Sequence, residues 1–353
     1  MNTSNQNDQG ISEQVPFGDV QHNSENTLPS ASEIGNLWAG YLAENMSVCM
    51  LKFMVAKSID PDIKPVLEQA LDVSSQRINS METLFNSIHH PIPEGFGEKD
   101  VDINAPELFS EVFSLAYMRI MNVFIMLKYS IALSRSSRQD FRIFFLESLN
   151  TSRDVSQRAA DILIAKGLFP KDPHIIIPDK NEMVNDKNYY GSFLGGKRSL
   201  NALEIGHLFH NIEVKQLLST LKLGFSQVVK SKKIKNHLYK SSQINKEQAL
   251  TLSKFLVKEN LPAGISSDFL ITNSQQSPFS DKLILTHSTV VTAFCLIEVG
   301  YGLTNSARKD IISTLNSILT EILADSKDGT DLMIENGWLE KVPETADRNE
   351  LIQ

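Results

Sequence analysis

The sequence is poor in the residue types on which most site chemistry depends. Only two cysteines occur in 353 residues. Cys49 and Cys295 sit in apolar stretches far apart in the chain, which excludes a disulfide framework and gives a reduced, cytoplasmic pattern. Both read as small buried apolar residues. Positive charge is also short: the net charge is −8, which argues against a nucleic-acid partner. No Lys or Arg precedes an apolar run in residues 1–28, so no signal peptide is expected there. No Cys–His or Ser–His–Asp arrangement can be drawn, and no catalytic or cofactor-binding residue is assigned. Gly195-Gly196-Lys197-Arg198-Ser199 lacks the leading glycine and preceding strand of a phosphate-binding loop. Long apolar runs are few. Leu283–Leu303 has the length of a membrane span but carries His287 and Glu298. Its counterpart in the first half holds Glu111, Arg119 and Lys128. A buried bundle helix accounts for both stretches and a membrane span for only one, so no span is expected.

What is present is a globular composition, 41% hydrophobic and 22% charged, and a length that suits two domains. The chain repeats itself at an offset of about 170 residues. Glu33-Ile-Gly-Asn-Leu-Trp38 recurs as Glu204-Ile-Gly-His-Leu-Phe209, and Leu133–Asp140 recurs as Leu303–Asp310. Ile162-Leu-Ile-Ala-Lys-Gly167 recurs as Leu332-Met-Ile-Glu-Asn-Gly337. Two copies of this length make a tandem of whole domains and not a solenoid.

Within each copy the signals are helical. In the first, Ser32 is a plausible N-cap for a helix running to Lys57. Asp60-Pro61-Asp62 opens a second helix that ends near Ile88. Asn104-Ala-Pro106 caps a third that ends near Leu133. Ser136 or Ser137 starts a fourth, closed by Gly167. The fourth carries a buried seam of Phe141, Phe145, Ser148, Ser152, Val155, Ala159 and Ile162. Its repeat carries Ile311, Leu315, Ile318, Ile322, Asp325, Gly329 and Leu332. Spacings of four and three make this the seam of an antiparallel bundle, with small or polar residues at mid-height. The division is therefore a tail at 1–28, a four-helix bundle at 29–167, a linker at 168–198, a second bundle at 199–343 and a tail at 344–353.

Several segments carry a resemblance. They are Glu33–Trp38, Pro91-Ile-Pro-Glu-Gly-Phe96, Asn104–Ser110, Gly224–Lys230, Ser277–Leu283 and Asn336–Pro343. With them the chain resembles a large uncharacterised family of spore-forming Gram-positive bacteria built from two tandem ferritin-like domains. That family is related in fold to spore coat proteins of the coat-protein-F kind. The resemblance implies an all-α protein of two ferritin-like four-helix bundles related by internal duplication, with a spore association. It also implies histidines at mid-bundle on the second and third helices of each half. At the matching positions this chain carries Arg77, Ile120 and Gln248, and retains only His287.

A di-metal bundle site needs a Glu from each of two helices and Glu-x-x-His from each of the other two. The first half has no histidine between Asp60 and Ile88 or between His90 and His174, so it cannot build one. One Glu-x-x-His occurs, Glu204–His207, with His210 and Glu213 following. Its place at a helix start is also explained by the helix dipole. His287 reads first as a hydrogen-bonded core histidine, and His89-His90 as a solvated loop. Glu44 and Glu298 lie in apolar helices and call for basic partners; Arg119 and Lys128 are the candidates in the first half. Lys230–Lys235 reads as a solvated connector. Phe109–Met126 reads as core.

Three functions follow as expectations. The first is a non-enzymatic structural or interaction protein with a protein partner or self-association. The second is a metal-binding protein or oxidoreductase using iron, manganese or zinc at Glu204, His207, His210 and His287. The third is a small-molecule binder with a pocket inside a bundle.

Overall fold

The computed structural model describes residues 27–191, 196–263, 270–348 and 352. Residues 1–26 of the expected N-terminal tail, most of 349–353, and Gly195 and Gly264 lie outside the described residues. The described residues form eight α-helices: α1 Ala31–Lys57, α2 Lys64–Ser87, α3 Glu111–Arg135, α4 Gln139–Ala165, α5 Ala202–Val228, α6 Lys232–Lys258, α7 Asp281–Thr304 and α8 Lys309–Glu335. Consecutive helices pair as α1/α2, α3/α4, α5/α6 and α7/α8. Cross-contacts of α1 with α3 and α2 with α4, and of α5 with α7 and α6 with α8, close two four-helix bundles.

The helix starts are set by one device used twice. Ser30, not Ser32, caps α1: its hydroxyl accepts from Glu33 N at 3.2 Å, and Ser30 N donates to Glu33 Oε2 at 2.6 Å. The other oxygen of Glu33 accepts from Ser137 N at 2.7 Å and Arg138 N at 2.8 Å. One carboxylate thus caps α1 and also the entrance to α4, whose own N-cap is Arg138 and not a serine. Glu204 repeats this with Asn201 at the start of α5 and with Ala307 N and Arg308 N, both at 3.0 Å, before α8.

Two further starts fall later than the sequence indicates. Asp60 Oδ1 accepts from the amides of Asp62 and Ile63, so residues 61–63 form a turn and α2 proper begins at Lys64. Asn104-Ala-Pro106 does not cap α3, which begins at Glu111 with Ser110 as its cap. The preceding segment is engaged with the other half. Val101 bridges antiparallel to Phe279, and Phe109 bridges to Ile271. Asp102 N donates to Pro278 O at 2.8 Å, matched by Thr272 N to Leu108 O at 3.0 Å. Ser280 N donates to Asp100 O at 3.0 Å, matched by Ser110 N to Leu270 O at 3.1 Å. Each contact has its repeat-related twin, so the α2–α3 and α6–α7 connections exchange across a local two-fold axis.

The seams largely follow the pattern. All seven expected positions of α8 are buried. On α4 the first six are buried, but Ile162 is half-buried and Leu163 takes its place, because the seam drifts by one residue towards the helix end. Gly167 and Gly337 close α4 and α8 at φ +70° and +67°, the left-handed conformation of a glycine cap. The largest buried cluster runs through both halves, from Met50 and Phe113 to Phe225 and Phe294, and a second cluster around Phe85 and Phe145 fills the far end of the first bundle. The core reading of Phe109–Met126 matches this, with Phe113, Leu115 and Ile120 fully buried.

Both α3 and α7 are long and apolar enough to cross a membrane, contrary to the expectation that only the second would be. In their most apolar stretches 61% and 67% of residues are buried inside the protein.

Candidate functional site

Inside each bundle a buried side-chain cation contacts groups from the other three helices. In the first bundle it is Arg77 of α2. Its Nη1 donates to Glu44 Oε1 of α1 at 3.0 Å. Its Nη2 lies 2.7 Å from each of Ser148 O, Thr151 Oγ1 and Ser152 Oγ on α4. From α3, the Tyr129 hydroxyl donates to the same Glu44 Oε1 at 2.7 Å, and the guanidinium lies over the Tyr129 ring. Burial is the main force raising the Tyr129 phenol well above its ordinary pKa, with the Glu44 charge adding to it. Glu44, Arg77, Ser148 and Ser152 are all buried.

The second bundle builds a different cluster. Lys222 of α5 donates to Ser241 Oγ of α6 at 2.5 Å, to Thr292 Oγ1 of α7 at 2.7 Å and to Asp325 Oδ2 of α8 at 3.3 Å. Ser241 in turn donates to Asp325. Two turns earlier on α5, Lys215 is 1% exposed, and its ammonium has no hydrogen-bond partner among the described residues. Burial pushes its pKa down.

A third polar group joins the bundles. Arg119 of α3 pairs with Glu213 of α5 and lies over the Phe169 ring. His210 places Nδ1 3.4 Å from Glu213 Oε2 and Nε2 3.2 Å from Glu298 Oε2 on α7. Nearby, Tyr117 of α3 and His287 of α7 share a buried hydrogen bond of 2.6 Å.

These contacts redistribute the residues that the sequence singles out. Glu204 is a capping residue. Burial works to raise its pKa, but Arg198, which grips both its oxygens, and the amides of Asn201, Arg308 and Ala307 hold it below the usual range. His207 is half-buried, and burial lowers its pKa. His210 faces Glu213 and Glu298, while His287 lies in the core against Tyr117 and Phe225. The four are not brought together, and no group of three or more His, Cys, Asp or Glu among the described residues is arranged to hold a metal. Glu44 takes Arg77 and Tyr129 as partners; Arg119 reaches across to Glu213 and is not available to it. His90 packs on the Phe85 ring in its loop; Lys232–Lys235, expected as a connector, form the first turn of α6, where Lys233 pairs with Glu335 at the surface. Both cysteines are free and buried, and burial pushes the Cys49 thiol up to about 12.

The cavities between the helices of the first bundle measure about 20 Å³ each. A small-molecule pocket occupies roughly 300–1,000 Å³. A wider hollow of about 930 Å³ lies outside the bundles, along the 178–189 segment of the linker.

Lys222, Lys215 and Tyr129 are the central residues that sequence reasoning missed. The available signal was the run of small and polar residues at mid-seam: Ser148, Ser152 and Asp325 are the partners that the two cations use.

Comparison with known families matches this chain twice to one family model, described as "Protein of unknown function (DUF3231)", over residues 20–180 and again over 190–351. Among solved structures, one described as a putative spore coat protein from Bacillus halodurans is 15% identical, covering 44% of this chain and 100% of that chain at a TM-score of 0.40. Comparison with curated proteins gives no match.

Proposed function

The chain belongs to the DUF3231 family of proteins of unknown function, and on that premise we propose that it is a non-enzymatic structural or interaction protein. The observation that carries this reading is the buried cation held inside each bundle. A metal-binding four-helix bundle directs carboxylates and histidines from its helices to one point. Here Arg77 lies inside one bundle and Lys222 inside the other, each held by groups of the chain itself. A guanidinium is permanently charged and offers no lone pair to a metal, so it repels a second cation and cannot ligate one. Each cluster ties all four helices of its bundle together, which suits a scaffold that presents surfaces to a protein partner or to a second copy of itself. A spore-associated setting is supported by the sequence resemblance, and a cytoplasmic one by the two isolated cysteines.

Elemental analysis of the purified full chain tests the reading. Iron, manganese and zinc each well below one per chain is the expected result, and any of them at stoichiometric level overturns it. Expression followed through sporulation tests the setting: a rise on entry into sporulation is expected, and constant vegetative expression counts against it.

A further inference from the structure

The Glu44–Arg77 pair is incomplete on both of its outer sides. Glu44 Oε1 accepts from Arg77 and Tyr129, while Oε2 is buried and has no hydrogen-bond partner among the described residues. The two terminal nitrogens of Arg77 are engaged, while its Nε is buried and equally without a partner. Each of these atoms belongs to a residue that walls a separate cavity of about 20 Å³. Glu44 lines the first with Asn36, Lys128 and Tyr129. Arg77 lines the second with Ser47, Ser74 and Asn122. Ile125 stands in the wall of both.

We infer that each cavity binds one ordered water molecule, so that the central ion pair of the first bundle is hydrated from both sides. A buried water needs roughly 10–15 Å³ and several polar neighbours, and both cavities meet these terms with room for a single molecule. Water both donates and accepts, so the same ligand serves both sides. In the first cavity it donates to Glu44 Oε2, with Lys128 on the same wall as a donor to its oxygen. In the second it accepts from Arg77 Nε and has hydroxyl and amide groups around it. The cation of Lys128 makes the first cavity unsuitable for a metal or ammonium ion. Dry, apolar occupancy is disfavoured because it leaves a carboxylate oxygen and a guanidinium N–H unpaired.

Oxygen-17 magnetic relaxation dispersion on the full chain counts long-lived internal waters. Replacing the pair by apolar groups of similar length, Glu44→Met with Arg77→Met, is expected to lower that count by two while the far-ultraviolet circular dichroism stays helical. An unchanged count in a folded variant overturns the inference. If the variant does not fold, the unsubstituted chain decides. Magnetisation transfer from bound water to the Arg77 Nε–H and to the Tyr129 hydroxyl is expected, and its absence at both overturns the proposal.

Discussion

Tyr117 and His287 occupy the same place in the two halves of the chain, 170 residues apart, and meet through one hydrogen bond of 2.6 Å. Phe124 and Phe294, separated by the same interval, meet two turns further along with ring centroids 4.3 Å apart. The local two-fold axis therefore passes between residues that are twins in sequence but different in chemistry. A histidine faces a tyrosine across it, so the tyrosine can donate to a neutral imidazole with no bulk water present. Burial pushes the His287 imidazole down to about 4, and it raises the Tyr117 phenol above its ordinary range.

That depression gives a pH dependence with a definite sign. The unfolded chain takes up the proton near 6.5 and the folded chain only near 4. The stability contributed by neutral His287 is thus complete above pH 6.5 and is lost progressively as pH falls towards 4. The full effect is about 3 kcal/mol at 1.36 kcal/mol per unit. Urea unfolding of the wild type and of His287→Phe between pH 7 and 4.5 measures it. The variant is expected to lose stability less steeply over that window; equal slopes would falsify the assignment.

Arg77→Ala leaves the Glu44 carboxylate buried with Tyr129 as the remaining protein partner of its Oε1. Loss of one partner of a buried pair costs about 3–5 kcal/mol, whereas replacing both by apolar residues is often neutral or stabilising. Guanidinium unfolding is expected to rank Arg77→Ala far below the Glu44→Met/Arg77→Met double variant. The reverse order would mean that Arg77 acts through its hydroxyl and carbonyl contacts on α4 and not through Glu44.

Lys215 and Lys222 lie on one helix, are equally buried, and call for opposite outcomes. Lys222 is tied to Ser241, Thr292 and Asp325, so Lys222→Met strands a buried carboxylate and lowers the melting temperature. Lys215 has no such ties, and Lys215→Met exchanges a desolvated amine for an apolar chain of similar length. A gain of about 1–2 kcal/mol is expected, within the range for burying a polar group without a hydrogen bond. Differential scanning calorimetry of the two variants gives the comparison directly, and a fall in both sinks it.

How much of this was readable in the residues depended on whether the cause was local. The repeated Glu33 and Glu204 mark helix starts because a capping box spans only four residues. The α8 seam reads correctly because it repeats every helical turn. The start of α3 does not: Asn104-Ala-Pro106 has the chemistry of a cap, but the strip from Val101 to Phe109 is recruited by residues 270–280 of the other half, which no local pattern announces. Arg119, a candidate partner for Glu44, pairs with Glu213 for the same reason, since Glu213 lies in another bundle. Lys215 and Lys222 escaped because lysine in an apolar helix ordinarily reads as its wet edge. Only the serines and the aspartate opposite Lys222 and Arg77 hinted that charge lies within.

Gly224 on α5 tests the seam between the halves, because two effects oppose each other there. In an ordinary helix interior, Gly→Ala gains about 1 kcal/mol of propensity. Here an added Cβ would come within 2.6 Å of Phe109 Cζ, on the strip exchanged from the first half. The Phe109 ring cannot easily retreat: it stacks on Phe113 at 4.4 Å and meets the edge of Phe225 at 5.9 Å. Overpacking of this kind costs about 1–3 kcal/mol and outweighs the propensity gain. Gly224→Ala is therefore expected to lower the thermal midpoint, and Phe109→Leu in the same chain to restore part of the loss by removing the ring edge. Because the contact joins the halves, the protection of the α3 amides from hydrogen exchange should fall along with that of α5. A stabilised Gly224→Ala variant would show that the exchanged strip yields easily and does not hold the two bundles in register.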